Sequence, residues 1–285
     1  QLAQQQAKRE GSSHAALPLP LQVQNGVLAA LQQRLPFALT GAQSRVVAEI
    51  AADLAKNQPM HRLLQGDVGA GKTVVAALAA AQAIDAGAQC ALLAPTEILA
   101  TRHFRKLGDW LAPVLAERGL QLAWLLGSQK KKAKAENLAA IANGQAALIV
   151  GTHALLQDGV DYARLGLVVI DEQHRFGVAQ RLALRGKGST DAQGRALEPH
   201  VLMMSATPIP RTLAMSYYAD LDVSTLDELP PGRTPIATSL LAKDRYAELV
   251  TRLHKPLAEG RQVYWVCPLI EESEALDLSN ATATH

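Results

Sequence analysis

The stretch at 62–75, RLLQGDVGAGKTVV, has residue types and spacing that fit phosphate chemistry. Its glycines allow tight turns that point successive backbone N–H groups at an anion, and the Ala/Val segment that follows predicts a helix with a positive N-terminal end. Lys72 suits the β- and γ-phosphates, and the Thr73 hydroxyl suits Mg²⁺. The pattern predicts a nucleotide site, rather than a chance glycine-rich turn, formed by Gly66, Asp67, Val68, Gly69, Ala70, Gly71, Lys72 and Thr73.

A second chemical pattern follows the apolar run at 167–170, which ends in Asp171 and Glu172. Asp171 is placed to hold Mg²⁺ through water, and Glu172 to orient and polarise a water that attacks the γ-phosphate. An acidic turn after a strand is by itself more often structural. Because a phosphate loop lies upstream in the same chain, we interpret both carboxylates as catalytic.

These residues need strands that end together. Apolar runs typical of strands alternate with helical stretches, and a Thr40 cap favours a helix over 42–57, after an earlier one over 21–34. This alternation predicts an α/β fold with a mostly parallel sheet, helices on both faces, and ligands beyond the carboxyl ends of the strands. The predicted strands are 62–65, 89–94, 121–126, 146–150, 166–170 and 200–205.

The composition is compatible with many functions, but the pattern of apolar residues indicates where in the cell the protein is found. The 285 residues are 48% hydrophobic and 19% charged, with a net charge of +2, so nucleic-acid binding would depend on local patches. No apolar run is long enough to span a bilayer, and no signal core is visible, which favours a cytoplasmic protein without membrane contact. Cys90 and Cys267 favour buried thiols over a disulfide.

The proline-rich segment 229–235 predicts a hinge because it can continue neither a helix nor a central strand. After it, we expect a strand (236–241), a helix (243–259) and a strand (262–266), which are too few residues to close a sheet with its own core. The expected organisation is a linker or upstream tail (1–20), a nucleotide-binding domain (21–229), and a hinge with the start of a second domain (230–285).

The sequence resembles superfamily 2 helicases, with all the matching segments in the expected order. DEQH, with Gln173 and His174, resembles motif II, and the phosphate loop resembles motif I. APTEILA at 94–100 resembles motif Ia, GTHAL at 151–155 resembles the GTHAL element, and SATPIPRT at 205–212 resembles motif III. The longer strings DEQHRFGVAQR, DELPPGRTP and VYWVCPLIEESE narrow the resemblance to the RecG family of bacterial branch-migration helicases.

The resemblance implies roles for individual residues. Gln43 would read the adenine edge and Phe37 would contact the base, although a glutamine one turn into a helix is more often solvated. Gln173 and His174 would connect the γ-phosphate to the second domain or to motif III, and a structural role stays open for them. Coupling to motif III would involve Ser205, Ala206, Thr207 and Arg211.

For DNA, the resemblance implies phosphate contacts without sequence readout, made by Pro95, Thr96, Arg102, Thr152 and His153. Arg102 belongs equally well to a solvated helix face. The lysine run at 130–134 is more simply a solvated charge cluster than a DNA contact.

The implied fold is a RecA-like P-loop NTPase domain with the truncated start of a second RecA-like domain. The implied activity is that of an ATP- and Mg²⁺-dependent DNA helicase in recombination and DNA repair. It would act as a monomer on Holliday junctions and forks, with a single-stranded DNA-binding protein as a further partner. Two alternatives stay open, namely a translocase of the transcription-repair coupling type and an ATP- and DNA-binding fragment without turnover of its own.

Overall fold

A computed structural model describes residues 15–21, 25–172, 187–190, 194–207, 221–228 and 236–266. The chain divides into two compact units, residues 1–233 and 234–285. Within the described residues, no helix is both long and apolar enough to cross a membrane.

The first unit is built on a parallel sheet. In chain order the strands are β1 (Ala15–Ala16), β2 (His61–Gly66), β3 (Gln89–Leu93), β4 (Gln121–Leu125), β5 (Ala146–Gly151), β6 (Leu165–Ile170), β7 (Leu197–Glu198), β8 (His200–Ser205) and β9 (Asp222–Leu226). Seven of them form one sheet in the order β4-β5-β3-β6-β8-β2-β9, with every neighbouring pair parallel, and β1 pairs separately with β7. The predicted parallel α/β fold is confirmed.

Helices cover this sheet on both faces. They are α1 (Val27–Arg34), α2 (Gly41–Leu54), α3 (Lys72–Asp85), α4 (Glu97–Ala116) and α5 (Lys131–Ala142), with a 3₁₀ turn at His153–Leu156. Two apolar clusters lie on opposite faces, and successive residues of β6 alternate between them: Leu167 and Val169 in one, Val168 and Ile170 in the other. Because the sheet is buried on both sides, β6 needs an apolar residue at every position.

Local signals explain where the site-bearing helices begin. Thr40 and Gln43 form a reciprocal capping box at the start of α2, since the Thr40 hydroxyl accepts from Gln43 N and Gln43 Oε1 accepts from Thr40 N. Thr96 caps α4 with a single hydrogen bond, since its hydroxyl accepts from Leu99 N. The predicted helix over 21–34 is shorter than expected, because α1 begins at Val27 with its first N–H groups held by the Asp85 carboxylate.

The sequence patterns missed the strands that carry little apolar signal. β9, with the sequence DVSTL, begins with two half-buried residues, then alternates between buried and exposed positions, and among the described strands it pairs with β2 alone. A strand with one covered face and polar residues on the other lacks the continuous apolar run that marked the central strands.

In the second unit, the predicted helix is present as a 3₁₀ turn at Lys243–Arg245 followed by α6 (Tyr246–Ala258). The predicted strands at 236–241 and 262–266 are wrong, because both segments are irregular and residues such as Leu240 and Val266 are 100% and 89% exposed. A strand forms when a neighbour takes up its N–H and C=O groups, and the described part of this unit contains no such neighbour.

Candidate nucleotide site

Three neighbouring strands of the first unit, β6, β8 and β2, end at one edge of the sheet. The β2 residue Gln65 is level with Ser205 of β8, and Met203 of β8 is level with Ile170 of β6. The phosphate loop, Ser205 and Asp171 therefore follow one another across this edge. Parallel strands bring these residues together although 98 and more residues separate the loop from Asp171 in sequence.

The phosphate loop turns sharply between β2 and α3. Gly69 and Gly71 adopt positive φ values of 86° and 92°, which side-chain-bearing residues rarely adopt. A Cβ atom at Gly71 would lie 2.2 Å from Nε2 of Gln43, so the close packing also requires glycine. Gly71 is the N-cap of α3, and it provides no side chain to cap the first turn. The backbone at this helix end is thus arranged as in an anion site.

The Lys72 side chain folds back over this loop. Its Nζ donates to the carbonyl oxygens of Gly66, at 2.6 Å, and Asp67, at 3.1 Å. Burial lowers the pKa of the Lys72 ammonium, and the carboxylates of Asp171, Glu172 and Asp67 act in the opposite direction. β6 and β2 end at the same edge of the sheet, and the upward effect of Asp171 and Glu172 on the Lys72 pKa is that expected of carboxylates near the phosphate loop.

Asp171 is fixed from two sides. Its backbone N–H donates to Leu93 O at 2.9 Å, which continues the pairing of β6 with β3. Its Oδ2 lies 2.6 Å from Nε2 of His103, a residue of α4 that is only 8% exposed. Glu172, the next residue, has a φ of 52°, a left-handed conformation that is strained for a side-chain-bearing residue and that clusters at functional sites.

The oxygen groups at this edge fit Mg²⁺. Thr73 lies in the first turn of α3 and Asp171 lies at the end of β6, and hard oxygen ligands are those that Mg²⁺ prefers. The described residues contain no group of three or more His, Cys, Asp or Glu side chains that could hold a metal. A Mg²⁺ ion held by one carboxylate, one hydroxyl, water and nucleotide phosphates is compatible with that donor set.

Gln43 and Phe37 precede the loop in sequence. Gln43 is buried, and both ends of its amide contact the protein, since Nε2 donates to Ala70 O at 2.9 Å and Oε1 accepts from Thr40 N. Phe37 is 45% exposed and packs edge-to-face on Trp110, with ring centroids 6.1 Å apart. The Gln43 amide therefore braces the phosphate loop in this structure, and adenine recognition by these two residues stays a prediction.

The residues predicted to contact DNA lie just after β3 and β5, in the connecting residues and in the helical elements that follow. Arg102 is exposed on α4, and His153 is exposed at the 3₁₀ turn, whereas Thr152 is buried. The Thr96 hydroxyl serves as the α4 cap. Glu97 accepts from Ser128 N and Oγ, at 3.1 and 2.7 Å, and so ties motif Ia to the loop after β4.

Ser205 and Thr207 interact with each other at the end of β8. Their hydroxyl oxygens are 3.0 Å apart, and Thr207 N donates to Ser205 Oγ at 3.2 Å. Ala206 lies between them. The remaining predicted residues, Gln173, His174 and Arg211, lie outside the described residues.

Sequence reasoning missed His103. It lies seven residues beyond the Thr96 cap within a helix whose other buried residues are mainly aliphatic, and no motif marks it. The available signal was a polar residue in the buried stripe of Ala100, Leu107 and Leu111, because buried polar groups need partners.

The comparisons with known proteins agree with this arrangement. The sequence profile of DEAD/DEAH box helicases matches residues 40–216, from the α2 cap to beyond motif III. The chain belongs to the DEAD/DEAH box helicase family. Its sequence is 54% identical over 266 residues to the ATP-dependent DNA helicase RecG of Escherichia coli K12, covering 93% of this chain and 37% of that protein. The Haemophilus influenzae RecG is 51% identical over 287 residues, covering 99% of the chain and 39% of the relative.

Solved structures show the same helicase fold. A structure of RecG bound to a three-way DNA junction superposes with a TM-score of 0.71 at 38% identity, covering 91% of this chain and 33% of that one. A DEAD box protein from Methanococcus jannaschii has a TM-score of 0.53 at 18% identity, covering 82% of this chain and 62% of that one, which supports the fold alone. The resemblance to RecG and the RecA-like fold are confirmed. The chain spans little more than a third of the length of these RecG relatives.

Proposed function

We propose that this chain is the nucleotide-binding part of a RecG-type DNA motor. The motor uses ATP hydrolysis to drive branch migration of Holliday junctions and reversal of stalled forks, in recombination and DNA repair. The proposed parts are a linker or tail of an upstream wedge domain (1–20), the ATP-binding motor domain (21–229), and a hinge with the start of the second motor domain (230–285). The last residues of the first part pack on the motor domain, since β1 pairs with β7 and Leu19 lies in the main apolar cluster. The 54% identity to a RecG helicase supports this proposal.

One observation carries the hydrolytic function. The phosphate-loop lysine and two carboxylates from far along the chain follow parallel strands that end at the same edge of the sheet, and the carboxylates act to raise the Lys72 pKa. In the proposed mechanism, Lys72 binds the β- and γ-phosphates, Thr73 and Asp171 hold Mg²⁺, and Glu172 polarises the attacking water. Mg²⁺ supplies neutralisation of the charge that develops on the phosphate oxygens.

The DNA function rests on the exposed outer face of α4. Arg102 and Arg105 are exposed there, and Lys106 is also exposed, with its Nζ 5.2 Å from the centroid of the Trp110 ring. Arg102 lies near the helix end that Thr96 caps. Cations in such positions neutralise backbone phosphates without reading bases, as a motor that moves along any sequence requires. We place one DNA strand across Pro95, Thr96, Arg102, Thr152 and His153. Branched DNA is the proposed partner, together with a single-stranded DNA-binding protein, for a cytoplasmic monomer.

The phosphate-loop function is tested with Lys72→Ala. This substitution removes the loop's positively charged side chain and should weaken Mg-ATP binding by about 2 kcal/mol or more, close to thirty-fold in affinity. Titration calorimetry on the chain measures this. Lys131→Ala, which removes an exposed lysine of α5, is the matched control and should leave the affinity unchanged. Equal affinity of wild type and Lys72→Ala would remove the proposed nucleotide site.

A further inference from the structure

His103 is a buried polar residue to which no motif assigns a role. It lies on α4, its side chain is 10% exposed, and its Nε2 is 2.6 Å from Oδ2 of Asp171, whose side chain is 13% exposed. An ionised carboxylate only accepts hydrogen bonds, so the proton belongs to His103 Nε2. The contact is therefore a short, nearly dry hydrogen bond from the histidine to the proposed Mg²⁺ ligand.

The architecture explains why this contact forms. β3 and β6 are neighbours, and α4 follows β3, so the buried face of α4 passes the end of β6, where Asp171 lies. Ala100, His103, Leu107 and Leu111 recur every three or four residues on that face. The aliphatic members of this stripe pack in the core, and the single polar member meets the carboxylate.

A core histidine is commonly there only to satisfy its own polar atoms. Here, however, its partner is a side chain whose orientation matters for chemistry. Asp171 contacts His103 at 2.6 Å, it follows a strand that ends at the same sheet edge as β2, which leads into the phosphate loop, and its charge acts to raise the Lys72 pKa. A hydrogen bond that holds Oδ2 restricts rotation of the carboxylate and leaves Oδ1 for the cation, as outer partners of metal-ligating carboxylates do.

We propose that His103 is a positioning residue for the Mg²⁺-bound nucleotide and acts by fixing the Asp171 carboxylate through Oδ2. This inference rests on the proposed function of the phosphate loop. His103 has no contact with the nucleotide in this role. Its loss therefore reduces the benefit of Mg²⁺ and leaves metal-free nucleotide binding in place.

The test compares nucleotide affinity with and without the metal. The non-hydrolysable analogue AMPPNP is titrated into the whole chain with Mg²⁺ and with EDTA. The dissociation constant in EDTA divided by that in Mg²⁺ measures how much the metal strengthens nucleotide binding. His103→Leu fills the space without a donor and should reduce this ratio about ten-fold, with little change in EDTA. His103→Gln, whose amide nitrogen reaches the position of Nε2, should restore most of the ratio.

His200→Leu is the matched control. His200 is also buried and paired, accepting from Met60 N at Nδ1 and donating to Leu17 O from Nε2, but it begins β8 at the opposite end of the sheet. Its substitution should lower thermal stability and keep the Mg²⁺ ratio of wild type. A purely structural His103 would give the same result as His200→Leu.

An unchanged ratio in His103→Leu overturns the positioning role. If that variant does not fold, His103→Asn replaces it, because the shorter asparagine side chain cannot bring its amide to Oδ2 of Asp171. Equal ratios in His103→Asn and His103→Gln would then overturn the proposal. Wild-type chain that binds no AMPPNP under either condition would refute the phosphate-loop function itself. The two failures are thus distinguishable.

Discussion

Glu172 follows a buried strand and sits in a left-handed backbone conformation, with a φ of 52°. Strain of this kind costs of order 1–3 kcal/mol and persists when the surrounding structure enforces it. Since β6 pairs with a neighbour on each side and Asp171 N continues that ladder, the strand end is held firmly. This geometry turns the chain at Glu172, the residue that we propose polarises the attacking water.

Glu172→Gln should spare Mg-ATP binding and abolish turnover in a longer protein that carries this segment with a complete second motor domain. The amide keeps the shape of the side chain but cannot polarise or deprotonate water. Steady-state phosphate release and nucleotide titration together measure this. As a control, Glu117→Gln changes an exposed carboxylate at the end of α4 and should leave both quantities unchanged. Undiminished hydrolysis in Glu172→Gln would place the catalytic base elsewhere.

At the scale of elements, a buried charge cluster joins α2, β2 and β9. Arg62 of β2 donates to Asp53 Oδ2 from Nη2 and Nε, at 2.5 and 3.1 Å, and to Ser224 Oγ at 2.7 Å. Burial raises the pKa of Asp53, but hydrogen bonds from Lys56 and Arg62 outweigh it and hold that pKa below its usual range. The cluster fixes the edge strand β9 beside the strand that leads into the phosphate loop.

Arg62→Met should destabilise the chain by about 3 kcal/mol, because it removes the two hydrogen bonds that the guanidinium donates to the buried Asp53 carboxylate and leaves that carboxylate with the exposed Lys56 as its charged partner. The matched control is Arg34→Met, which breaks the exposed Arg34–Glu117 pair and should cost less than about 1 kcal/mol. Urea unfolding midpoints measure both. Equal losses in the two variants would show that burial of this pair has no energetic consequence.

The buried side chain of His200, which hydrogen-bonds Met60 and Leu17, makes the stability of the fold depend on pH. Burial lowers the pKa of His200, more than the hydrogen bond to Leu17 and the charge of Asp53 raise it. Below about pH 6.5 the unfolded chain takes up a proton that native His200 resists, so this contribution to stability is present at neutral pH and declines on acidification. His200→Asn, which does not titrate, should lose less stability than wild type between about pH 7.5 and pH 5.5.

The measurement for this prediction is the denaturation midpoint across that pH range, compared between the two proteins. Asp53 does not affect the comparison, since its lowered pKa keeps it ionised throughout the range. Parallel pH profiles for wild type and His200→Asn would contradict the assignment of the effect to His200.

At the scale of the whole molecule, the proposed function implies an ATPase site that is divided between two motor domains. The second unit contributes α6, which has no buried residue, and two irregular segments. An arginine that offsets transition-state charge accelerates phosphoryl transfer by about 10³ to 10⁵. The family resemblance implies that this arginine comes from the second motor domain.

We therefore expect the 285-residue polypeptide to bind ATP, hydrolyse it slowly and fail to unwind DNA. Unwinding needs two domains that open and close around the nucleotide. The measurement is phosphate release at saturating Mg-ATP and forked DNA, for this polypeptide beside the same chain extended through a complete second motor domain. If the polypeptide alone turned over ATP within a few-fold of the rate of the extended protein, the divided active site would be refuted. The first motor domain would then be an ATPase that needs no second domain.

The sequence by itself determined the central strands, the phosphate loop and the strand-end carboxylates. Apolar runs, glycine spacing and adjacent acidic residues are local signals that need no knowledge of distant neighbours. Sequence patterning also indicated the α2 cap at Thr40 and the helix in the second unit. It wrongly predicted strands at 236–241 and 262–266, because β-branched and apolar residues are necessary for a strand but a pairing partner is decisive.

Only the tertiary structure decided which polar residues meet. The pairing of His103 with Asp171 depends on the order of β3 and β6 in the sheet, and the Arg62 cluster depends on β9 joining the sheet beside β2. Neither contact has a periodic or local signature, since the partners are 68 and 162 residues apart. A polar residue in a buried stripe signals that a partner exists, and the topology of the parallel sheet determines which residue that partner is.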